Sequence, residues 1–306
     1  MLKRRAVSTA MLVSCALIWG TSYIAQILGM QEIGPLTFCA SRYVVSVAAL
    51  SLMLALMGKR GGFDEARGEL TPEEKRAERM KILRHGAICG LALFSGSVLQ
   101  LAGMQGTTAG KAAFITDTFI VIVPLYGIFA GKIPSKTAVF AIFMSMGGLY
   151  LLSIKDGFTV GRGDLLIFLS AFFWAAHIMA CSVFSRKSDP VKLSAVQFGT
   201  VALLATTGAL IFERPDLASV AASWPPIVYA GLVCTCVAYT FQMSAQRYVQ
   251  PLATCIIMST ESVFAAIFGY LVFGEVLSAR ELTGCAVLFA ATLIAQLDDV
   301  KSGTAD

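Results

Sequence analysis

Residues 251–273 read PLATCIIMSTESVFAAIFGYLVF, an apolar run broken near its middle by one acidic side chain, Glu261. A helix of about 20 apolar residues crosses a hydrocarbon core about 30 Å thick. A carboxyl group at the centre of such a helix costs roughly 2.5–3.5 kcal/mol on insertion scales, so its presence points to function. Nine further runs of similar length accompany this one. The ten lie at approximately 8–29, 35–57, 84–104, 109–130, 135–154, 164–185, 192–212, 225–246, 251–273 and 279–297. They are too continuous for the period-2 alternation of a membrane barrel, so they read as transmembrane helices.

Composition agrees. The chain has 306 residues, of which 57% are hydrophobic and 14% charged, with a mean hydropathy of +0.74. Soluble domains are about 45–50% apolar and about 25% charged. An ordinary soluble enzyme, a disordered chain and a nucleic-acid binder are excluded on those numbers. All eight cysteines fall inside apolar runs and read as buried free thiols rather than a disulfide framework. Lys3, Arg4 and Arg5 precede the first run as they would in a signal peptide. That run is too long for one, so it is taken as an uncleaved first helix.

Lys and Arg residues set the expected orientation. With the N-terminus inside, the inner segments carry most of the 24 basic residues, eight of them between Lys59 and Arg84. The outer segments carry only Lys111, Lys155, Arg162, Arg214 and Arg280. This bias places both termini in the cytoplasm. The segment 58–83 is then the one sizeable cytoplasmic loop, with Thr71-Pro72-Glu73-Glu74 marking a capped helix start. It reads as a solvated or headgroup-facing helix, with a partner-docking role as the alternative.

The chain divides near residue 157 into a first five-helix repeat, 1–157, and a second, 158–306. Five spans is an odd number, so the second repeat is inverted. Ala16-Leu17-Ile18-Trp19 echoes Ala171-Phe172-Phe173-Trp174, and Gly131-Lys132-Ile133-Pro134-Ser135 echoes Gly274-Glu275-Val276-Leu277-Ser278. The expected fold is therefore an all-α membrane protein whose ten transmembrane helices form two inverted five-helix repeats. That is the plan of many secondary transporters, with the solute site near mid-membrane.

Four motifs in this order carry a resemblance to a known family. They are Ala16-Leu17-Ile18-Trp19-Gly20-Thr21-Ser22-Tyr23; Pro35-Leu36-Thr37-Phe38 with Arg42; Gly106-Thr107-Thr108-Ala109-Gly110-Lys111-Ala112-Ala113-Phe114-Ile115 leading to Pro124; and Glu261-Ser262-Val263-Phe264-Ala265-Ala266 ending at Gly274-Glu275. The chain resembles the EamA family of the drug/metabolite transporter superfamily over about residues 8–297. The family usually has proline where Ser262 stands. The resemblance implies transport of small metabolites, often amino acids or related compounds leaving the cell.

The polar residues inside the spans nominate a site on their own. Arg42 and Asp117 lie at matching depth from the outer ends of spans 2 and 4. They read either as a buried ion pair or as groups that meet a solute carboxylate and an amine or proton. Glu261 reads as a proton-coupling group, as a hydrogen-bonded helix contact or as a direct solute contact. His177, one turn from Trp174, reads as packing or as a proton exchanger. Trp19, Tyr23 and Gln26 share one face of span 1; Tyr239, Gln242 and Gln246 share one face of span 8; Gln100 lies in span 3. Such faces turn away from lipid, and they are expected to line a cavity for an amphipathic solute. Gln246, nearer the helix end, reads as interhelical glue.

Gly86-x3-Gly90 and Gly127-x3-Gly131 are expected to bring helices close, and Pro124 to kink span 4. No P-loop, no metal-ligand pair and no cofactor motif is present. The reading is a secondary transporter, an exporter of small organic metabolites working by alternating access in a bacterial inner membrane. A passive channel or a membrane-embedded sensor is the alternative, with a membrane enzyme last. The solute and the bilayer are the expected partners, protons are a candidate coupling ion, and monomer and dimer both stand.

Overall fold

The structure is a computed structural model, which describes residues 2–58, 71–107, 109–129, 131, 133–154, 160–273 and 277–302. Among them there are helices and turns and no strand. The helices are α1 (Leu2–Gly29), α2 (Pro35–Gly58), α3 (Pro72–Met104), α4 (Ala109–Thr116), α5 (Phe119–Phe129), α6 (Lys136–Ser153), α7 (Arg162–Phe184) and α8 (Pro190–Gly208). After these come α9 (Leu217–Ala222), α10 (Trp224–Tyr229), α11 (Ala238–Ala245), α12 (Pro251–Met258), α13 (Glu261–Phe273) and α14 (Ala279–Ser302). Two π-helical segments, Ala209–Glu213 and Ala230–Val237, extend α8 and join α10 to α11. Among the described residues, ten spans are long and apolar enough to cross a membrane, at the positions expected from the sequence.

The polarity of the bundle is inverted relative to a soluble protein. Leu52, Phe129, Ile133, Phe143, Leu210 and Leu271 are exposed, whereas Ser46, Ser97, Gln197, Thr235 and Thr254 are fully enclosed. Apolar side chains gain nothing by leaving lipid, so the interior is chosen for hydrogen bonding and close packing instead. All eight cysteines are free, six of them buried and Cys236 and Cys285 partly so.

Three differences from the sequence reading have physical causes. The helix beginning at Thr71 is the first part of α3 and is continuous with the third span. Thr71 and Glu74 form the expected reciprocal cap, with Thr71 N–H donating to Glu74 Oε2 at 2.8 Å and Glu74 N–H to Thr71 Oγ1 at 3.3 Å. The rest of the 58–83 loop, residues 59–70, lies outside the described residues, as do Lys132, Thr108 and the Gly274-Glu275-Val276 part of the repeat and family motifs.

Second, span 4 is interrupted at Asp117–Thr118, and Pro124 sits inside α5 beyond the break. Thr118 Oγ1 donates to the Ile115 carbonyl at 2.6 Å, taking an acceptor that the helix would otherwise use. Span 9 is interrupted in the same way at Ser259–Thr260, where Thr260 Oγ1 donates to the Ile257 carbonyl at 2.6 Å.

Third, Gly86 and Gly90 work as an interhelical contact, and Gly131 does not. A Cβ on Gly86 would lie 2.5 Å from Val196 and one on Gly90 2.6 Å from Thr200, so this pair sets α3 against α8. Gly131 instead has φ +77 and nothing within 4 Å of a notional Cβ. It ends α5 in the left-handed conformation, where glycine carries no steric penalty.

Other close approaches join α3 to α7 through Gly103 and Gly163, and α6 to α14 through Gly148 and Gly284. A Cβ at Gly148 would stand 2.9 Å from the Gly284 carbonyl oxygen, while one at the adjacent Gly147 would meet nothing within 4 Å. Overpacking of this kind costs about 1–3 kcal/mol. Gly148→Val is therefore expected to lower the melting temperature in detergent by several degrees, and Gly147→Ala to leave it unchanged or raise it.

Candidate functional site

The polar faces converge on a cavity of about 70 Å³. Helix α1 contributes Trp19, Ser22, Tyr23 and Gln26; α2 contributes Arg42; α3 contributes Gln100. The first interruption adds Thr116 and Phe119, and α7 adds Trp174 and Ile178. Cys234, Tyr239, Gln242, Met258 and Glu261 close the remaining wall.

The aromatic part is an interlocked set. Trp19 and Tyr239 rings stand 5.0 Å apart and tilted, and Trp174 lies nearly parallel to Tyr239 at 6.3 Å. Gly96 makes room for Trp174, since a Cβ there would sit 3.2 Å from the indole. Trp19 Nε1 donates to the Cys234 carbonyl at 2.9 Å. Cys234 belongs to the π-helical segment, where the widened turn leaves carbonyls for partners outside the helix. The same segment packs on α2: Ser46 Oγ donates to the carbonyls of Arg42 and Gly231, each at 2.7 Å.

Arg42 does not pair with Asp117. Its guanidinium lies 5.0 Å from the Tyr43 ring centroid and 5.8 Å from that of Phe38, an arrangement in which aromatic faces offset part of the cost of a buried cation. Arg42 Nε, Trp174 Nε1 and Gln242 Oε1 are buried without a hydrogen-bond partner among the described residues. Glu261 is held by Tyr23, whose hydroxyl donates to Oε1 at 3.2 Å. Gln100 Nε2 donates to Thr116 Oγ1 at 3.1 Å and reaches the Tyr23 hydroxyl at 3.5 Å. The cavity thus presents one cation, one carboxyl group, amides and five aromatic rings.

Two residues nominated from the sequence stand behind the wall rather than in it. His177 is fully buried, with Nε2 at 3.0 Å from Gln197 Oε1 and 3.3 Å from Cys181 Sγ, and it meets Tyr239 edge-on. Asp117 is fully buried and accepts from Ser262 Oγ at 3.4 Å. Gln246 Nε2 donates to the Ile178 carbonyl at 3.1 Å, tying α11 to α7 as the glue reading expected. The sequence reading missed Ser22, Thr116, Phe119, Ile178, Cys234 and Met258 as lining. A signal for part of this was present, because Thr116-Asp117-Thr118 and Thr260-Glu261-Ser262 repeat one pattern in spans 4 and 9.

A second polar cluster ties helix ends together. Asp164, at the start of α7, accepts from Gly161 N–H at 2.6 Å, Thr107 Oγ1 at 2.7 Å and Lys111 Nζ at 2.5 Å. The Glu213 carboxylate caps α2 from the end of another span, accepting from Leu36 N–H at 2.8 Å and from the Thr37 N–H and hydroxyl at 2.7 and 2.6 Å.

Ten spans around a polar-aromatic cavity define a multi-pass membrane protein built for solutes. The chain belongs to the EamA-like transporter family, whose pattern matches residues 7–154 and 161–296. It is 27% identical over 283 residues to an uncharacterized transporter of Archaeoglobus fulgidus, covering 92% of this chain and 83% of that one. It is 24% identical over 300 residues to the uncharacterized transporter YwfM of Bacillus subtilis, covering 95% and 94%. It is 20% identical over 289 residues to the uncharacterized transporter YoaV of the same organism, covering 90% and 92%. A solved structure titled only "Crystal structure of protein" shares the fold, with a TM-score of 0.74 at 18% identity over 97% of this chain and 98% of that one. The protein is a membrane transporter and not an enzyme.

The partnerless Arg42 Nε makes this side chain the expected anchor for an anionic solute group. Arg42→Gln is expected to weaken a carboxylate-bearing ligand at least tenfold, about 1.4 kcal/mol, read as loss of ligand-induced thermal stabilisation.

Proposed function

We propose that this transporter moves small zwitterionic metabolites with an apolar or aromatic body, such as amino acids, by alternating access around the central cavity. The observation that carries this reading is the cavity's composition. Arg42 offers a cation to a carboxylate, Glu261 a carboxyl group to an amine, and Trp19, Trp174 and Tyr239 a flat apolar surface to the side chain. Arg42, Trp19, Tyr23, Gln100, Trp174, Tyr239 and Gln242 are the solute-contacting residues in this proposal, with His177 supporting Tyr239 from behind.

Two inverted repeats, 1–157 and 158–306, supply the rocking elements. Supporting this are the interruptions of spans 4 and 9, which are the fourth spans of their halves, and the similar placement of Trp19 and Trp174 in the first spans. Discontinuous spans in corresponding positions are the pattern expected where irregular backbone lines a transport site. The basic bias supports an inward location of both termini, in the inner membrane of a bacterial cell. Export is the direction that the family resemblance implies.

The test is counterflow in proteoliposomes with labelled phenylalanine as the probe. A carrier saturates, and unlabelled phenylalanine on the far side accelerates uptake of the label. Flux that rises linearly with concentration, with no acceleration from the far side, would overturn the carrier reading in favour of a channel.

A further inference from the structure

Helix α3 begins with basic side chains and ends among apolar ones. Lys75, Arg76, Arg79, Lys81 and Arg84 are all exposed. Lys81, Arg84, Ile88 and Leu91 follow one another at i, i+3, i+7 and i+10, which puts them on one face of the helix. All four are exposed. Along this face exposed charge gives way to exposed apolar surface, the order in which a lipid presents its headgroup and its acyl chains.

The turn between α7 and α8 meets α3 where the change occurs. The His85 ring lies on that of Phe184, with centroids 4.2 Å apart and planes at 10°, and His85 Nδ1 stands 3.2 Å from Ser188 Oγ. These contacts bring Lys187, exposed and next to Ser188, beside α3. Lys81, Lys187 and Arg84 all act electrostatically on His85, so the three cations gather around one point.

Among the described residues, none of the three makes an ion pair. The carboxylate of Asp189, two residues after Lys187, accepts from the N–H groups of Val191 and Lys192 at 2.9 and 3.0 Å and caps α8. Glu74 is engaged in the same way with Thr71 at the start of α3. Like charges held together repel one another, and a bound anion relieves that repulsion.

We propose that Lys81, Arg84 and Lys187 bind the headgroup phosphate of an anionic phospholipid, whose acyl chains run along Ile88 and Leu91. Lysine and arginine form charge-assisted hydrogen bonds with phosphate. Basic pockets between transmembrane helices are where acidic headgroups bind. A free phosphate ion would meet the cations and leave the apolar half of the face unused, which favours the lipid. The basic bias puts this end of the bundle in the cytoplasm, and the lipid then belongs to the inner leaflet. The site itself depends neither on that orientation nor on the solute carried. Because α3 precedes residue 157 and the α7–α8 turn follows it, one headgroup ties the two halves of the chain together.

The test is thermal melting of the purified full chain in dodecyl maltoside micelles. Dioleoyl phosphatidylglycerol, dioleoyl phosphatidylcholine and inorganic phosphate are added in turn. Phosphatidylglycerol is expected to raise the melting temperature by several degrees, and the other two to leave it unchanged. The combined variant Lys81→Gln, Arg84→Gln and Lys187→Gln is expected to need about tenfold more phosphatidylglycerol for the same rise. Removing equal charge farther along α3, as Lys75→Gln, Arg76→Gln and Arg79→Gln together, is expected to leave the response unchanged. No rise with phosphatidylglycerol, an equal rise with phosphatidylcholine, or equal loss in both variants would overturn the proposal. A rise with inorganic phosphate at the same concentration would assign the cations to a free anion and overturn it too. Lys187→Gln alone, on an exposed turn, decides the matter if the combined variant does not fold. Its native mass spectra are expected to show several-fold less retained phosphatidylglycerol than those of the wild type, and undiminished retention would count against the site.

Discussion

A hydrocarbon solvent offers no hydrogen bonds, and everything in this bundle follows from that. Backbone groups must bond within their own helix, and polar side chains must find one another or the cavity. The consequence is visible in the distribution of side chains, with Phe143 and Leu210 outside and Ser97, Gln197 and Asp117 inside. Helices then meet through what lets them approach, glycine against backbone at Gly103–Gly163 and Gly148–Gly284. Where a hydroxyl side chain satisfies a carbonyl locally, the helix itself can open. Thr118 and Thr260 do this in spans 4 and 9, and the two openings bring Asp117 and Glu261 to one place.

The second constraint is that the site is shaped by backbone as much as by side chains. The π-helical segment of span 8 supplies the carbonyl that orients Trp19 and also accepts Ser46 on α2. Gly20 lies against Glu261 and Phe264, where a Cβ would come within 2.8 Å of the Glu261 carbonyl oxygen. The first span can therefore sit on the ninth only because residue 20 is glycine, and that seating places Tyr23 within reach of Glu261. Trp19, Gly20 and Tyr23 belong to the same short stretch, so ring, seat and hydroxyl are fixed by one turn of α1.

Much of this was legible in the sequence. Span positions follow from hydropathy, since lipid-crossing length is a property of consecutive residues. The convergence of Trp19, Tyr23, Gln100, Trp174, Tyr239, Gln242 and Glu261 follows from helical spacing combined with the cost of facing lipid. The Arg42–Asp117 pairing did not follow, because equal depth in a membrane says nothing about which way two side chains point around their helices. Arg42 turns to Tyr43 and Phe38, and Asp117 turns to Ser262. His177 packs behind Tyr239 and bonds Gln197, which fits the packing reading, one of the two that its sequence position left open. Gly131 has the spacing of a packing residue, yet its φ marks a helix end. The interruptions were hidden because a threonine that competes for a carbonyl looks, residue by residue, like any other helical threonine.

The widened segment Ala230–Val237 has a bearing on how the chain tolerates insertions and deletions. A π-helical turn accommodates about one residue more than an α-helical turn over the same rise. Removing a single residue there would let span 8 close into a regular helix. The residues after it would keep nearly their places around the axis, because the widened turn already absorbs the extra residue. Tyr239 and Gln242 would stay on the wall, while the carbonyls that hold Trp19 and Ser46 would return to the α-helical ladder. A related chain one residue shorter here would therefore keep its side-chain lining and lose the acceptor that orients the ring of its first span.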